Sequence, residues 1–131
     1  WTRDNATHAL GMELVSVAPG HAVLRMKVRS DMVNGHHICH GGLIFTLADS
    51  AFAYACNSYN LNTVASGCSI DFLAPGREGD VLEASAVERS SAGRTGVYDV
   101  EVKVVGGSTV ALFRGRSYRI KGEVIAGLES H

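Results

Sequence analysis

The chain has 131 residues, of which 46% are hydrophobic and 19% charged, a composition that excludes intrinsic disorder and supplies one hydrophobic core. Lysine and arginine total 12 against 13 acidic residues, so no net field marks a partner among nucleic acids or anionic membranes, and any anionic ligand must be met locally.

From the N-terminus, Asn5 to Leu10 is expected to form a short helical turn that ends at Gly11, followed by a first strand in GMELVSVAPG. Pro19-Gly20 turns the chain into a second strand, His21 to Arg29, where Leu24, Met26 and Val28 alternate with Arg25, Lys27 and Arg29. A loop from Ser30 to His40 gathers Asn34, Gly35, His36, His37 and His40, and hands over to Gly41-Gly42 at the mouth of a helix. Across Leu43 to Asn57 the apolar residues cover nearly the whole circumference, as in a helix enclosed on most sides. Asp49 is the only formally charged residue in that stretch.

Four further strands follow at Thr63 to Leu73, Val81 to Glu88, Val97 to Val105 and Thr109 to Ile120, separated by APGREGD, SSAGRTG and GG turns. Short turns predict that successive strands in this group pair antiparallel. The tail after Lys121 is expected to fray. No repeat or linker divides the chain, so residues 1–131 read as one α+β domain, its core at about 10–120, with a curved antiparallel sheet of five to six strands wrapped around one long central helix.

The thiols Cys39, Cys56 and Cys68 are odd in number and lie in apolar or motif-bearing segments, which argues against a disulfide framework and for a reducing, cytoplasmic setting. No stretch reads as a signal peptide, and the apolar run around Asp49 is too short to span a bilayer. The lack of Met at position 1 is expected of a sequence that starts inside a longer natural one.

The chemistry concentrates in NGHHICHGG-LIFTLADSAFAYACNS. A glycine pair at a helix mouth offers unpaired N–H groups and a positive dipole end, suited to an oxyanion. A lone acid among Leu47, Ala48, Ala51 and Phe52 is costly to desolvate unless it is paired or used. The combination points to hydrolytic acyl chemistry, with Asp49 as general base or as nucleophile. A helix acid satisfied by Ser50 or by a backbone donor is the alternative. Along a helix, Gly41 and Asp49 stand about 12 Å apart, too far for one reacting acyl group to touch both. Two such helices antiparallel across a two-fold axis would instead bring Gly41 of one subunit near Asp49 of the other.

The order of elements, together with NGHHICHGG, LADSAFAYACNS and SIDFLAPG, resembles the hot-dog fold acyl-CoA thioesterases, most closely those of phenylacetic acid degradation. The likeness runs from about Leu10 to Ile120. It implies a homodimer or a dimer of dimers with no metal or organic cofactor, hydrolysing phenylacetyl-CoA or its ring-hydroxylated forms; medium-chain acyl-CoA is the alternative substrate. It further implies Asp49 as the catalytic carboxylate, Gly41 as the oxyanion-hole residue, and Asn34 and His40 as polar groups beside the thioester. Asn34-Gly35 is equally an ordinary turn, and His40 equally a helix cap or a partner for a loop carbonyl. Related enzymes use the SSAGRTG turn on CoA, which makes Arg94 and Thr95 candidates for its phosphates, with Arg77, Arg114 and Arg116 in competition.

Other readings remain at this level. A hot-dog dehydratase also sets a helix-mouth His against a helix acid, and a CoA-binding module without turnover would keep the same fold. Some relatives carry an assisting hydroxyl where this chain has Ala65, and Ser66 stands one position later. His36, His37, Cys39 and His40 lack the spaced pairs of a zinc site, and Cys39 reads as a packed small residue. Phe45, Phe52 and Tyr54 are expected along the acyl pocket.

Overall fold

The computed structural model describes residues 8–58 and 63–120. A helical turn at His8-Ala9 closes at Gly11, whose φ of 70° and N–H bond to the His8 carbonyl (3.1 Å) end it as the sequence predicts. Asn5 to Thr7 and the tail after Lys121 lie outside the described residues.

Six strands and one long helix follow: β1 (Glu13–Ala18), β2 (His21–Lys27), α1 (Gly41–Cys56), β3 (Thr63–Phe72), β4 (Val81–Ala92), β5 (Thr95–Val104) and β6 (Thr109–Arg119). A short 3-10 turn, Ser30–Met32, lies between β2 and α1. The strands make one antiparallel sheet in the order β1-β2-β4-β5-β6-β3, and α1 packs across its inner face. This is the helix-in-sheet arrangement that the hot-dog resemblance implies.

Period-two alternation fixes which face is which. Ala22, Leu24 and Met26 of β2, Leu82, Ala84 and Ala86 of β4, Tyr98, Val100 and Val102 of β5, and Ala111 and Phe113 of β6 all point inward and are buried. Opposite α1 the sheet is built small: Ala22 pairs with Ala86, Leu24 pairs with Ala84, and all four are fully buried. Alanine at these positions lets the helix backbone approach the sheet closely. The ring of Phe52, 1% exposed, meets Tyr98 and Phe113 at centroid distances of 5.6 and 5.7 Å, and a Cβ added to Gly115 would stand 2.8 Å from that ring. Gly115 is therefore the socket for Phe52.

Two expectations are corrected. The β3 and β4 strands do not pair; β3 sits at the sheet edge beside β6, and β4 lies between β2 and β5. APGREGD is thus not a hairpin turn but a connection across three strand spacings, about 14 Å, which seven extended residues can reach. Its backbone is occupied on the way, with the Gly76 carbonyl accepting from the Cys39 N–H (2.7 Å) and the Asp80 carbonyl from the Val28 N–H (2.8 Å).

The second correction concerns the helix. Only one side of α1, carrying Ile44, Leu47, Ala48, Ala51, Phe52, Ala55 and Cys56, is buried against the sheet. The other side, with Gly42 and Ala53 exposed and Thr46, Asp49 and Ser50 half-buried, has no full cover among the described residues. Ala53 counts as apolar in a periodicity reading yet loses little by facing water. Among the described residues no helix is long and apolar enough to cross a membrane.

Candidate active site

The loop before α1 is pinned from inside and from beside. Asn34 folds it: its Oδ1 accepts from the His36 and Ile38 N–H groups (2.9 and 3.2 Å), while its backbone exchanges bonds with Ile38 and His37. The Asn34 amide oxygen is thereby committed to the turn, and its NH2 is the part left to meet a ligand. His37 takes a positive φ of 61° at the bend. Short bridges from Val33 to Cys39 and from Ile38 to Arg77 tie the loop to itself and to the β3–β4 connection.

His40 is the N-cap of α1, but through its backbone. Its carbonyl accepts from the N–H groups of Leu43 (3.0 Å) and Ile44 (3.4 Å), and its N–H donates to the Met32 carbonyl (3.0 Å). The imidazole makes no cap hydrogen bond and is exposed beside the helix mouth. Gly41 follows as the first helical residue, so its N–H has no acceptor within the helix and stands at the positive dipole end. Cys39, behind them, is buried at 4% exposure, and burial pushes its thiol pKa up, which suits packing rather than nucleophilic attack. Among the described residues no three His, Cys, Asp or Glu side chains stand together as a ligand set for a metal.

Asp49 lies two helical turns further on, half-buried on the side of α1 that the sheet leaves uncovered. Neither Ser50 nor any other described residue hydrogen-bonds or ion-pairs with it. Burial raises its carboxyl above the usual carboxylate range, with no cation or donor to offset the cost. The chain therefore sets His40 and Gly41 at the helix mouth, places Asn34 in the turn that precedes it, and holds Asp49 apart, about 12 Å along the axis.

Arg94 and Thr95 sit at the β4–β5 hairpin tip, close to the other end of the helix. A small cavity there is lined by both residues together with Cys56 at the α1 C-terminus, Ser117 and Arg119. The Thr95 hydroxyl is bonded to the Ala92 carbonyl (3.0 Å), while Arg94 is exposed. Of the competing cations, Arg114 is engaged: its guanidinium grips Asp99 at 2.6 and 2.9 Å, and Arg89 reaches the same carboxylate at 3.1 Å. That cluster lines an open groove of about 420 Å³ on the outer face of the sheet, away from α1. The Ser66 hydroxyl donates across strands to the Arg116 carbonyl (3.2 Å) at a bulge in β3.

Of the aromatic residues expected along an acyl pocket, Phe52 is core, and Phe45 is half-buried with its ring against Phe113 at 5.6 Å. Phe72, which the sequence pattern does not single out, lies against Gly41 and is 52% exposed. The alternation in SIDFLAPG assigns Phe72 to the inner face, but nothing local to that motif indicates how near the helix mouth it comes.

Residues 36–111 match the family described as the Thioesterase superfamily. The acyl-coenzyme A thioesterase PaaI of Escherichia coli K12 is 52% identical over 124 residues, 95% of this chain and 89% of that protein. The chain belongs to the thioesterase superfamily. The thioesterase superposes on the structure of the E. coli PaaI protein from the phenylacetic acid degradation operon with a TM-score of 0.89, covering 92% of this chain and 87% of that one. It is also similar to a variant of the phenylacetic acid degradation protein PaaI from Thermus thermophilus, with TM-score 0.85 and 42% identity over 89% of this chain and 100% of that one. The matched span includes the helix mouth and Asp49.

Proposed function

We propose that this thioesterase hydrolyses phenylacetyl-CoA and ring-hydroxylated phenylacetyl-CoA to the free acid and CoA, at a site assembled from two subunits. One observation carries the reading. Asp49 is an unpartnered, half-buried carboxylate on the open side of α1, out of reach of the Gly41 N–H in its own chain. A second α1 packed antiparallel on that open side supplies the missing half twice over, once at each end. The β3 strand supports the same assembly, since among the described residues it is an edge of the sheet, paired to β6 alone. Homodimers are the minimal unit, with a dimer of dimers allowed.

In this site the thioester carbonyl oxygen accepts from the Gly41 N–H at the helix mouth. The partner's Asp49 takes a proton from a water molecule as its oxygen adds to the carbonyl carbon, and the negative charge moves onto the carbonyl oxygen. Collapse of that intermediate breaks the C–S bond, and the proton held on Asp49 passes to the departing CoA sulfur. Direct attack by Asp49, giving a mixed anhydride that water then opens, uses the same geometry. The Asn34 NH2 and the exposed His40 ring orient water and carbonyl at the mouth. Arg94 and Thr95 meet CoA phosphates from the hairpin tip. No metal or organic cofactor enters the reaction, and no nucleic acid or membrane is a partner. The free thiols Cys39, Cys56 and Cys68 suit the cytoplasm.

The test is thiol release from aryl-acetyl and medium-chain CoA esters, followed by subunit complementation. Gly41→Val and Asp49→Asn chains, each inactive alone, are unfolded, mixed in equal amounts and refolded. Half of the dimers are then mixed, each with one intact site, and about one quarter of wild-type activity returns. A mixture as inactive as its components rejects the shared site.

A further inference from the structure

The Gly41 side-chain position is not open space. A Cβ built there would stand 3.2 Å from Cζ of Phe72 and 3.4 Å from Cε1, so the tip of that ring fills the volume a side chain would take. Phe72 ends β3 on its inner face, since its neighbours Asp71 and Ser69 line the groove on the outer face. Half of the residue remains uncovered, at 52% exposure, in a molecule whose other inner-face aromatics, Phe113 and Tyr98, are 2% and 3% exposed.

We infer that Phe72 is a specificity-determining residue of the thioesterase, the wall against which the acyl group lies and which turns the site toward aryl-acetyl thioesters. The inference rests on the role of Gly41 proposed above. An N–H and a Cβ leave the same Cα, so they are about 2.5 Å apart. A carbonyl oxygen bonded to the Gly41 N–H therefore sets its own substituents beside the Phe72 ring tip. An acyl group carrying a ring one methylene from the carbonyl can bring that ring within the 4.5–7 Å centroid range in which aromatic pairs attract. A straight acyl chain of similar size gains only apolar contact. The ring also keeps water from one side of the oxyanion, where a lower local dielectric strengthens the Gly41 hydrogen bond for either substrate.

The test is a ratio measured on one enzyme preparation, kcat/KM for phenylacetyl-CoA over that for hexanoyl-CoA, in wild type and in Phe72→Leu. Loss of the ring is expected to lower the ratio about 3- to 10-fold. The ratio does not depend on how much of the protein is folded. Phe72→Met serves as a second ring-free variant should the Leu variant fail to assemble. A second measurement addresses the contact itself: Gly41→Ala is expected to lose less activity in the Phe72→Leu background than in wild type, because the added methyl then meets a smaller neighbour. Thiol release with a ratio unmoved by both ring-free variants overturns the inference and leaves the thioesterase reading standing. No thiol release from either ester by wild type overturns both.

Discussion

Asp49 is legible as a residue from the sequence alone, because it is the one charge in an apolar helix. What the sequence does not contain is its isolation: Ser50 is adjacent in the chain, yet it does not bond to the carboxylate. Burial raises the Asp49 pKa, so folding favours its neutral form. The ionised, active form is therefore filled at higher pH than in an exposed aspartate, and activity is lost earlier on acidification, as pH falls through that raised value. The acid limb of kcat/KM against pH is expected above the ordinary aspartate pKa of about 3.9, and a limb at or below it contradicts the assignment. The same sign governs stability. Ionised Asp49 costs the fold free energy above its unfolded pKa, and the cost disappears once pH falls below that pKa. Asp49→Asn is thus expected to lower kcat by about 100-fold or more while leaving the neutral-pH melting temperature unchanged or higher. A lower melting temperature with retained turnover would show the residue to be structural. Asp99 behaves oppositely: hydrogen bonds from Arg114 and then Arg89 hold its carboxyl below the usual range, so its contribution is present above the ordinary carboxylate pKa and lost only in stronger acid.

At the level of elements, the strands are readable wherever one face is dry and the other wet. Tyr98, Val100 and Val102 against Asp99, Glu101 and Lys103 fix β5 from alternation alone. The helix is placed closely at both ends, yet its surroundings are overstated, since Ala53 satisfies an apolar count without needing cover. Strand partners are less legible. APGREGD has the composition of a tight turn, and the bonds that make it a crossing go to Cys39 and Val28, residues far from it in sequence. Gly115 is also silent, because a glycine within a strand does not announce the ring it receives. Gly115→Ala must displace the fully enclosed Phe52 ring, and such overpacking typically costs about 1–3 kcal/mol. Thermal denaturation is expected to show a lower midpoint for Gly115→Ala, whereas Gly79→Ala, where an added Cβ meets nothing within 4 Å, isolates the cost of a positive φ of 91° alone.

For the whole molecule, the resemblance carries what composition could not, the acyl-CoA reading, while the proposed second subunit follows from the spacing of Gly41 and Asp49 along α1. The placement of Arg94 and Thr95 fits that pairing. They stand beyond the Asp49 half of α1, at its Cys56 end, so in an antiparallel pair the hairpin of one subunit comes to the Gly41 end of the other. The outer sheet face, with Asp99, Arg89 and Arg114, takes no part in this arrangement.

The position of β3 also has a consequence for biosynthesis. Its strand partner among the described residues is β6, the last of the described strands, so a nascent polypeptide carries residues 63–72 without that partner until Thr109–Arg119 has emerged. Before that moment the sheet has its order only as far as β5. Closure of the sheet is accordingly late. A chain terminated just before Thr109 is expected to be degraded by proteases under conditions where the full-length chain resists them, although it contains α1, Gly41 and Asp49 intact. A complete helix mouth is in that sense not yet a finished fold, because the strand that secures β3 is translated well after it.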